Sequence, residues 1–455
     1  MSASISLQAE HDIAPELKGK IDAAVKQVVA TTGVPSATVG IVQGGKVVYT
    51  AAFGQARLSP ALSAKPEMHY AIGSISKQFT SACILLLAED GKLTLDDPVS
   101  KWFPELTRAN EVKVRNLLTH TSGYEDYAPQ DYTIPAWMKT TKPINVVHEW
   151  AGKPLDFDPG TKWQYSNTNF VLAGLIVEKA SGMPFWEFFE TRVVRPLGLK
   201  EVLNLDTDRE RMEPRGYMRN ALAPLRPAIL EAPGWYFADG ELSMPVETLL
   251  RWNISVMDQT LLKAASYAEL ARDMKLKDGT ATGYGLGVSV GLRDGHRYVA
   301  HTGEVGGFVA ANAIYPEDKV AIAVLTNQEA SSAASQIQRA VAALVLSGAA
   351  ASGDHAVAEA QIKAVLAGLQ QGKIDRSLFT ADGNFYFSAE TIGDFQSSLG
   401  TLGEVKTVTQ KGEQLRGGMT FRSFTVEFSG GTSVVVTTYT TTDGKLEQFL
   451  VEGKS

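Results

Sequence analysis

The chain has 455 residues, of which 44% are hydrophobic and 20% charged, and its formal net charge at pH 7 is −7. A chain of this length usually divides into two or three domains, and this composition excludes disorder on a large scale. The negative charge, without a run of lysine or arginine, argues against nucleic acid or an anionic membrane surface as a partner.

Cys83 is the single cysteine, which excludes an intrachain disulfide and a cysteine-based metal cage. The apolar run around it, 82–88, is far shorter than the roughly 20 residues of a membrane-spanning helix, so we expect no membrane span. Residues 1–12 are polar and lack the basic start and apolar stretch of a secretory leader. Two locations stay open: the cytoplasm, or the periplasm or another extracytoplasmic space if a leader has been removed.

The N-terminal part predicts a helix, a hairpin and a second helix. Apolar residues recur at helical spacing over 15–30. Two strand-like runs, 37–42 and 46–51, flank a pair of glycines that favour a hairpin turn. After a loop, 74–90 predicts a strongly apolar helix that ends at Gly91 and buries Cys83.

The middle of the chain, about 95–275, predicts helices joined by long loops, and the clearest helices are 169–180 and 185–194. Short strands are then predicted over 285–292, 297–301, 308–315 and 320–327, and a helix over 332–346. Strands near both ends of this stretch indicate one sheet whose termini meet, with a helical domain inserted in it.

A separate C-terminal module is expected after a linker of small residues at 349–353. Its pattern predicts helices over 357–369 and 390–399 and four strands over 405–451. The turns between these strands are predicted at Lys411–Gly412, Gly430–Gly431 and Asp443–Gly444, and Arg416–Met419 resembles a further turn. The expected domains are therefore 1–348, with its helical insertion, and a module over 354–455.

Ser74 and Lys77 stand three residues apart at the start of a predicted helix, so their side chains project from one face about one turn apart. An amine acts as a base only when burial or a neighbouring positive charge lowers its pKa. The helix N-terminus adds backbone N–H groups and a positive dipole end, which suit the stabilisation of an oxyanion. The alternative is a serine that caps a helix, followed by a solvated lysine.

Two further motifs carry polar groups in loops or at strand ends. Tyr165 and Asn167 follow a turn; a phenol can move protons beside a positive charge, and an amide can orient a substrate carbonyl. His301-Thr302-Gly303 ends a predicted strand, whose edge can offer a backbone N–H to an oxyanion. Each motif by itself is also compatible with a structural role.

Taken together and in this order, Ser-x-x-Lys at 74–77, Tyr-x-Asn at 165–167 and His-Thr-Gly at 301–303 resemble the penicillin-recognising serine hydrolases. The similarity is to the branch of class C β-lactamases, D-alanyl-D-alanine carboxypeptidases and D-aminopeptidases, and it covers about residues 14–348. It implies an α/β (α+β) fold: a β-lactamase/transpeptidase-like antiparallel sheet flanked by helices, with an inserted helical domain. The small C-terminal α+β domain is additional.

The resemblance also implies residue roles. Ser74 would be the nucleophile, and Lys77 and Tyr165 would remove its proton and later protonate the leaving group. The residues expected to contact the substrate are Asn167, His301, Thr302 and Gly303. The backbone N–H groups of Ser74 and Glu304 would form the oxyanion hole, and His120 is expected to be structural.

No metal or other cofactor is expected, because the seven histidines show no His-Glu-x-x-His or other ligand spacing. A Ser-His-Asp triad is the competing mechanism, but Gly-x-Ser-x-Gly is absent around Ser74.

The substrate is expected to be a small molecule or short peptide. His301 stands where the β-lactamase pattern has lysine, which weakens the grip on a substrate carboxylate, and Glu304 would repel a carboxylate or attract an amine. We therefore expect a D-amino-acid-containing peptide or amide, or a small carboxylic ester; weak β-lactamase activity and a penicillin-binding sensor that acylates without turnover are the alternatives.

The candidate residues for the walls of the substrate pocket are Tyr124, Tyr127, Trp137, Trp235 and Tyr236, for each of which core packing is the competing role. The C-terminal module is expected to shape access to the site or to form homo-oligomer contacts.

Overall fold

A computed structural model of the chain describes residues 13–130, 133–220, 224–346, 353–416, 419–441 and 443–453. They form two compact units. The first falls within Met1–Asp278, Thr282–Val290 and Val299–Gly348, and the second within Gly279–Ala281, Gly291–Tyr298 and Ala349–Ser455. The domain boundaries expected from the sequence stay a prediction, and the polar N-terminus, linker residues 349–352 and turn residues 417–418 lie outside the described ranges.

Between residues 13 and 346 the structure alternates strands with helices. The helices are α1 (Pro15–Thr32), α2 (Ser76–Glu89), α3 (Val114–Leu118), α4 (Pro143–Trp150), α5 (Asn167–Ser181), α6 (Phe185–Phe189), α7 (Phe237–Gly240), α8 (Val246–Asp258), α9 (Ala264–Leu270) and α10 (Ala333–Leu346). The strands are β1 (Ser36–Gln43), β2 (Lys46–Leu58), β3 (Ala61–Ser63), β4 (Tyr70–Ala71), β5 (Leu203–Asn204), β6 (Tyr217–Met218), β7 (Arg226–Pro227), β8 (Leu242–Met244), β9 (Ser289–Arg293), β10 (His296–Val305), β11 (Phe308–Tyr315) and β12 (Val320–Thr326).

The main sheet of these described residues has the order β3-β2-β1-β12-β11-β10-β9. β1 pairs antiparallel with β2 and β12, and β11 pairs antiparallel with β10 and β12. Every residue of β11 and β12 is buried, as expected for strands covered on both faces. α8 packs against β1 and β12, and α10 packs against β11 and β12. The N-terminal hairpin and the late strands thus share one sheet, which confirms the predicted fold class.

Two strand predictions near the third motif were wrong in their bounds. The strand predicted over 285–292 begins only at Ser289, because 285–288 form a turn in which Gly285 N–H donates to Val288 O (2.8 Å). The strand predicted over 297–301 continues to Val305, since its pairing with β11 extends to Val305 opposite Phe308. His301-Thr302-Gly303 therefore lies inside a strand and not at its end.

The second unit contains helices and a sheet of its own. Its elements are α11 (Gly353–Gln370), α12 (Ala381–Tyr386), α13 (Ala389–Leu399), β13 (Val405–Arg416), β14 (Met419–Phe428), β15 (Ser433–Thr440) and β16 (Leu446–Gly453). The strands pair in sequence order, and their core includes Leu366, Phe424, Val436 and Phe449. The turn predicted at Lys411–Gly412 is wrong: β13 runs through it with a register irregularity between Gln410 and Gly412, and such a bulge interrupts the alternation as a turn would.

Within the described ranges, no helix combines the length and the apolar character that crossing a bilayer requires.

Candidate active site

Ser74 lies in a single 3-10 turn, Gly73–Ile75, that leads directly into α2. The turn is held from one side by β8, since Ile72 N–H donates to Leu242 O (3.0 Å). From the other side β10 approaches so closely that a Cβ on Gly303 would overlap Ile72 O and lie 2.9 Å from the Ser74 nitrogen. Glycine at 303 is therefore required for the strand to reach the serine.

Lys77 occupies the first turn of α2 and is completely buried. Its Nζ lies 2.9 Å from Ser74 Oγ, 2.7 Å from Asn167 Oδ1 and 2.9 Å from the carbonyl oxygen of Asp239. Three acceptors match the three protons of an ammonium group. The structure thus excludes the solvated lysine that was the alternative interpretation of this motif.

Tyr165 precedes α5 and reaches the same point from the inserted region. Its loop is held by His120, whose Nδ1 accepts from Ser166 N–H (3.2 Å), and the ring centroids of Tyr165 and His120 are 4.2 Å apart. Burial raises the pKa of the Tyr165 phenol, and the Lys77 ammonium, with hydrogen bonds to Lys77 and Ser74, offsets part of that rise. The phenol is therefore protonated at neutral pH.

His120 is fully buried beneath this loop. Burial, aided by the charge of Lys77, holds its pKa well below the usual 6.5, so the imidazole is neutral. Its contacts with Ser166 and the Tyr165 ring agree with the structural role expected from the sequence.

His301 is buried on β10 and has a defined tautomer. Its Nδ1 hydrogen-bonds to the carbonyl oxygen of Thr302 and so carries the proton, while the Tyr284 hydroxyl donates to Nε2 (2.7 Å). Burial and the charge of Lys77 lower its pKa to about 4. His301 therefore offers a substrate no positive charge at neutral pH.

Two buried carboxyl groups at the site were missed by the sequence analysis. Asp126 Oδ1 accepts from the backbone N–H of Asn167 (2.8 Å), and its Oδ2 lies 3.4 Å from Asn167 Nδ2. Asp239 lies in α7, and its Oδ2 is 3.8 Å from Lys77 Nζ. Neither carboxyl group belongs to one of the three motifs, and neither has a spacing in the sequence that marks it.

The Asp239 carboxyl is kept largely neutral by its surroundings. Burial raises its pKa from 3.8 to about 8, with Asp126 adding to the rise and Lys77 opposing it. A neutral Asp239 carboxyl adds no negative charge beside Lys77.

Asp239→Asn should change the pH dependence of stability. Because the folded-state pKa of Asp239 lies above its ordinary value, the folded protein binds the extra proton between pH 3.8 and about 8, and stability from this group decreases as pH rises through that window. The variant lacks this titration. Its free energy of unfolding, relative to the unsubstituted protein, should therefore rise from about pH 4 to about pH 8 and then level off, as urea denaturation would show.

Glu241, whose buried carboxyl also has a pKa raised to about 8, titrates in both proteins; burial is the main cause of its shift and the charge of Asp239 a smaller one, so most of its contribution cancels in this comparison. Asp258→Asn, at a side chain 43% exposed, is the control and should leave the pH profile unchanged. Parallel stability curves for Asp239→Asn and the unsubstituted protein would contradict the prediction.

Above these groups lies a cleft of about 880 Å³. The structure brings to its lining Ser74, Tyr165, Asn167, His301, Thr302, Gly303 and Glu304. Of the five aromatic candidates, Tyr127, Trp137 and Tyr236 line the cleft, whereas Tyr124 and Trp235 are buried with their polar atoms bonded to backbone carbonyls. Trp163, Glu231 and Glu329 line it as well and carried no signal in the sequence. In the described part of the chain, no group of three or more His, Cys, Asp or Glu side chains is arranged so that it could hold a metal ion.

The fold and the convergence of these motifs define a penicillin-recognising serine hydrolase. The beta-lactamase family profile matches residues 21–347, and the chain belongs to that family. It is 29% identical over 309 residues to a penicillin-binding protein of Bacillus subtilis (strain 168), covering 64% of this chain and 68% of that protein. It is 26% identical to the D-aminopeptidase of Brucella anthropi, covering 60% of this chain and only 52% of that enzyme.

Among solved structures, the octameric penicillin-binding protein homologue from Pyrococcus abyssi superposes with a TM-score of 0.64 at 22% identity. It covers 96% of this chain and 98% of its own, so it shares the fold over nearly the whole length.

Proposed function

We propose that the protein hydrolyses its substrate through an acyl-enzyme on Ser74, and that the substrate is a D-amino-acid-containing peptide or amide, or a small carboxylic ester. The observation that carries this proposal is the contact of Lys77 Nζ with Ser74 Oγ at 2.9 Å in a fully buried setting. The relationship to a D-aminopeptidase supports the class of substrate.

Lys77 is the proton acceptor in this mechanism. In its neutral form the amine keeps two N–H donors, for Asn167 Oδ1 and the Asp239 carbonyl, and turns its lone pair to the Ser74 hydroxyl. As Ser74 Oγ bonds to the acyl carbon, its proton passes to Lys77. Tyr165, protonated at neutral pH, is suited to deliver a proton to the leaving group and to be restored from Lys77.

The developing oxyanion would be stabilised by the backbone N–H groups of Ser74 and Glu304. The two backbone segments lie against each other, since a Cβ on Gly73 would be only 2.6 Å from the Glu304 nitrogen. Asp126 accepts from the backbone N–H of Asn167, and the Asn167 Oδ1 accepts from Lys77; both contacts support a role of Asn167 in orienting a substrate amide beside Lys77.

A panel of acyl donors tests the proposal. Ser74 is expected to be labelled by a fluorophosphonate, and the protein is expected to release chromophore from D-alanine p-nitroanilide or from p-nitrophenyl esters. Ester turnover without amide cleavage would identify a carboxylesterase. A labelled penicillin that stays bound without turnover would instead identify a sensor, and rapid hydrolysis of it a β-lactamase. Absence of any label on Ser74 would contradict the acyl-enzyme itself.

Homo-oligomer contacts through the C-terminal module belong to the same proposal, supported by the octameric state named for the Pyrococcus abyssi protein. Light scattering of the full chain would refute an oligomer by returning the mass of one chain.

A further inference from the structure

The catalytic cleft is acidic. Among the described residues, the acidic side chains that line it are Asp126, Glu231, Asp239, Glu304 and Glu329, of which Asp239 is largely neutral at pH 7. No described lysine or arginine lines the cleft, and His301, with a pKa of about 4, is neutral. Lys77 is buried below the cleft with its hydrogen bonds directed at Ser74, Asn167 and Asp239. Such a surface attracts a cationic substrate and repels an anionic one.

Glu231 is a buried carboxylate of this cleft with one oxygen that accepts no hydrogen bond of ordinary geometry among the described atoms. It is only 7% exposed; one carboxylate oxygen accepts from Thr133 Oγ1 (3.0 Å), and the Tyr236 hydroxyl also interacts with the carboxylate, but the other oxygen, Oε2, is buried without a hydrogen bond of ordinary geometry among the described atoms. It lies in the wall between the cleft and a second cavity of about 370 Å³. Arg209, which lines the second cavity, donates to the carbonyl oxygen of Glu231 (2.7 Å). Since a buried charge without a partner is costly, a cation brought by the ligand would supply what is missing.

Two other carboxylates reinforce this negative region. Glu329 accepts from Gly307 N–H (2.8 Å), and Glu304 accepts from Ala330 N–H (2.6 Å). Burial raises the pKa of Glu329 to about 7, and the charges of Glu231 and Glu304 add to the rise. The three groups are thus close enough to repel one another, which a bound cation would relieve.

The backbone sets the distance from this region to the nucleophile. Gly303 touches the Ser74 turn, whereas a Cβ on Gly306 would lie 2.6 Å from Glu231 Oε2. β10 ends at Val305 and Gly306 begins the turn, so these two contact points are at most about 10 Å apart. An α-ammonium group is only about 2.5 Å from the carbonyl carbon of its own residue, so it is too close to reach Glu231 from the scissile bond.

We propose that the acyl group of the substrate carries an ammonium or guanidinium group several ångströms from the scissile carbonyl, at a distance of at most about 10 Å, and that this cation binds at Glu231. The inference rests on the proposed function, because Glu231 lies on the acyl side only if His301 and Thr302 line the leaving-group side. A lysine- or arginine-type side chain places its charge roughly 7–9 Å from the carbonyl carbon and an 8-aminooctanoyl chain about 10 Å from it, so all three lie within this limit.

Two esters with acyl chains of equal length test this: p-nitrophenyl 8-aminooctanoate and p-nitrophenyl nonanoate. The unsubstituted protein should prefer the ammonium ester by about tenfold or more in kcat/KM, and the preference should shrink at high salt. Glu231→Gln should remove the preference by lowering kcat/KM for the ammonium ester alone. Glu247→Gln, at a side chain 51% exposed on α8, is the matched control and should retain it.

The outcomes separate this inference from the proposed function. Equal rates for both esters, or an equal loss for both in Glu231→Gln, would overturn the cation site while leaving the acyl-enzyme intact. If neither ester is hydrolysed, binding decides: calorimetry of 8-aminooctanamide and nonanamide with Ser74→Ala should show tighter binding of the ammonium compound, and equal affinities would overturn the proposal.

Discussion

Ser74→Ala should lower turnover of any acyl donor by about 10⁴-fold or more, since removal of a nucleophile from a concerted site costs that much or more. The fold should persist, because Lys77 keeps two acceptors and the Ser74 side chain is only partly buried. Kinetics with p-nitrophenyl esters measure the loss of turnover. Mass spectrometry of the fluorophosphonate adduct measures the loss of labelling.

Ser76→Ala provides a close control for this experiment. Ser76 lies two residues further along, is buried, and accepts from Leu242 N–H (3.3 Å) without contact to the cleft. The Ser76→Ala variant should still be labelled by the fluorophosphonate on Ser74 and should keep most of its activity. Full activity in Ser74→Ala, or a label that survives there, would refute the assignment of the nucleophile.

Lys77→Met should lower kcat by about 10³-fold, because general-base catalysis contributes roughly 10²–10⁴-fold and methionine cannot accept a proton. Methionine fills a similar volume, so the loss would not come from a cavity. The three oxygens that lose a donor cost up to about 1–3 kcal/mol each, and the ammonium no longer has to be desolvated, which offsets part of that cost.

Chemical rescue separates a proton-transfer role from a structural one. In Lys77→Ala, added ethylamine should restore part of the rate in proportion to its unprotonated fraction, so rescue should grow with pH. Lys92→Met, at an exposed lysine after α2, should behave as the unsubstituted protein. Activity within tenfold of normal in Lys77→Met would exclude Lys77 as the base.

What the sequence by itself determined about this protein is local or periodic. The apolar helix that buries Cys83, the strand-like runs of the hairpin β1–β2, and the apolar runs of β11 and β12 are all visible in the residues of each segment itself. The contact between Ser74 and Lys77 could also be predicted from the sequence, because residues three apart on one helix are neighbours whatever the rest of the chain does.

What only the tertiary structure decided are the contacts between distant segments. The Asp239 carbonyl meets Lys77 across 162 positions, and Asn167 meets it across 90, so no spacing in the sequence announces either contact. The same holds for Tyr284, whose hydroxyl hydrogen-bonds to His301 Nε2, and for Glu231, which faces Gly306. Sheet order and loop packing create these pairs, and the protonation of the buried groups depends on neighbours that are supplied only when the chain has folded.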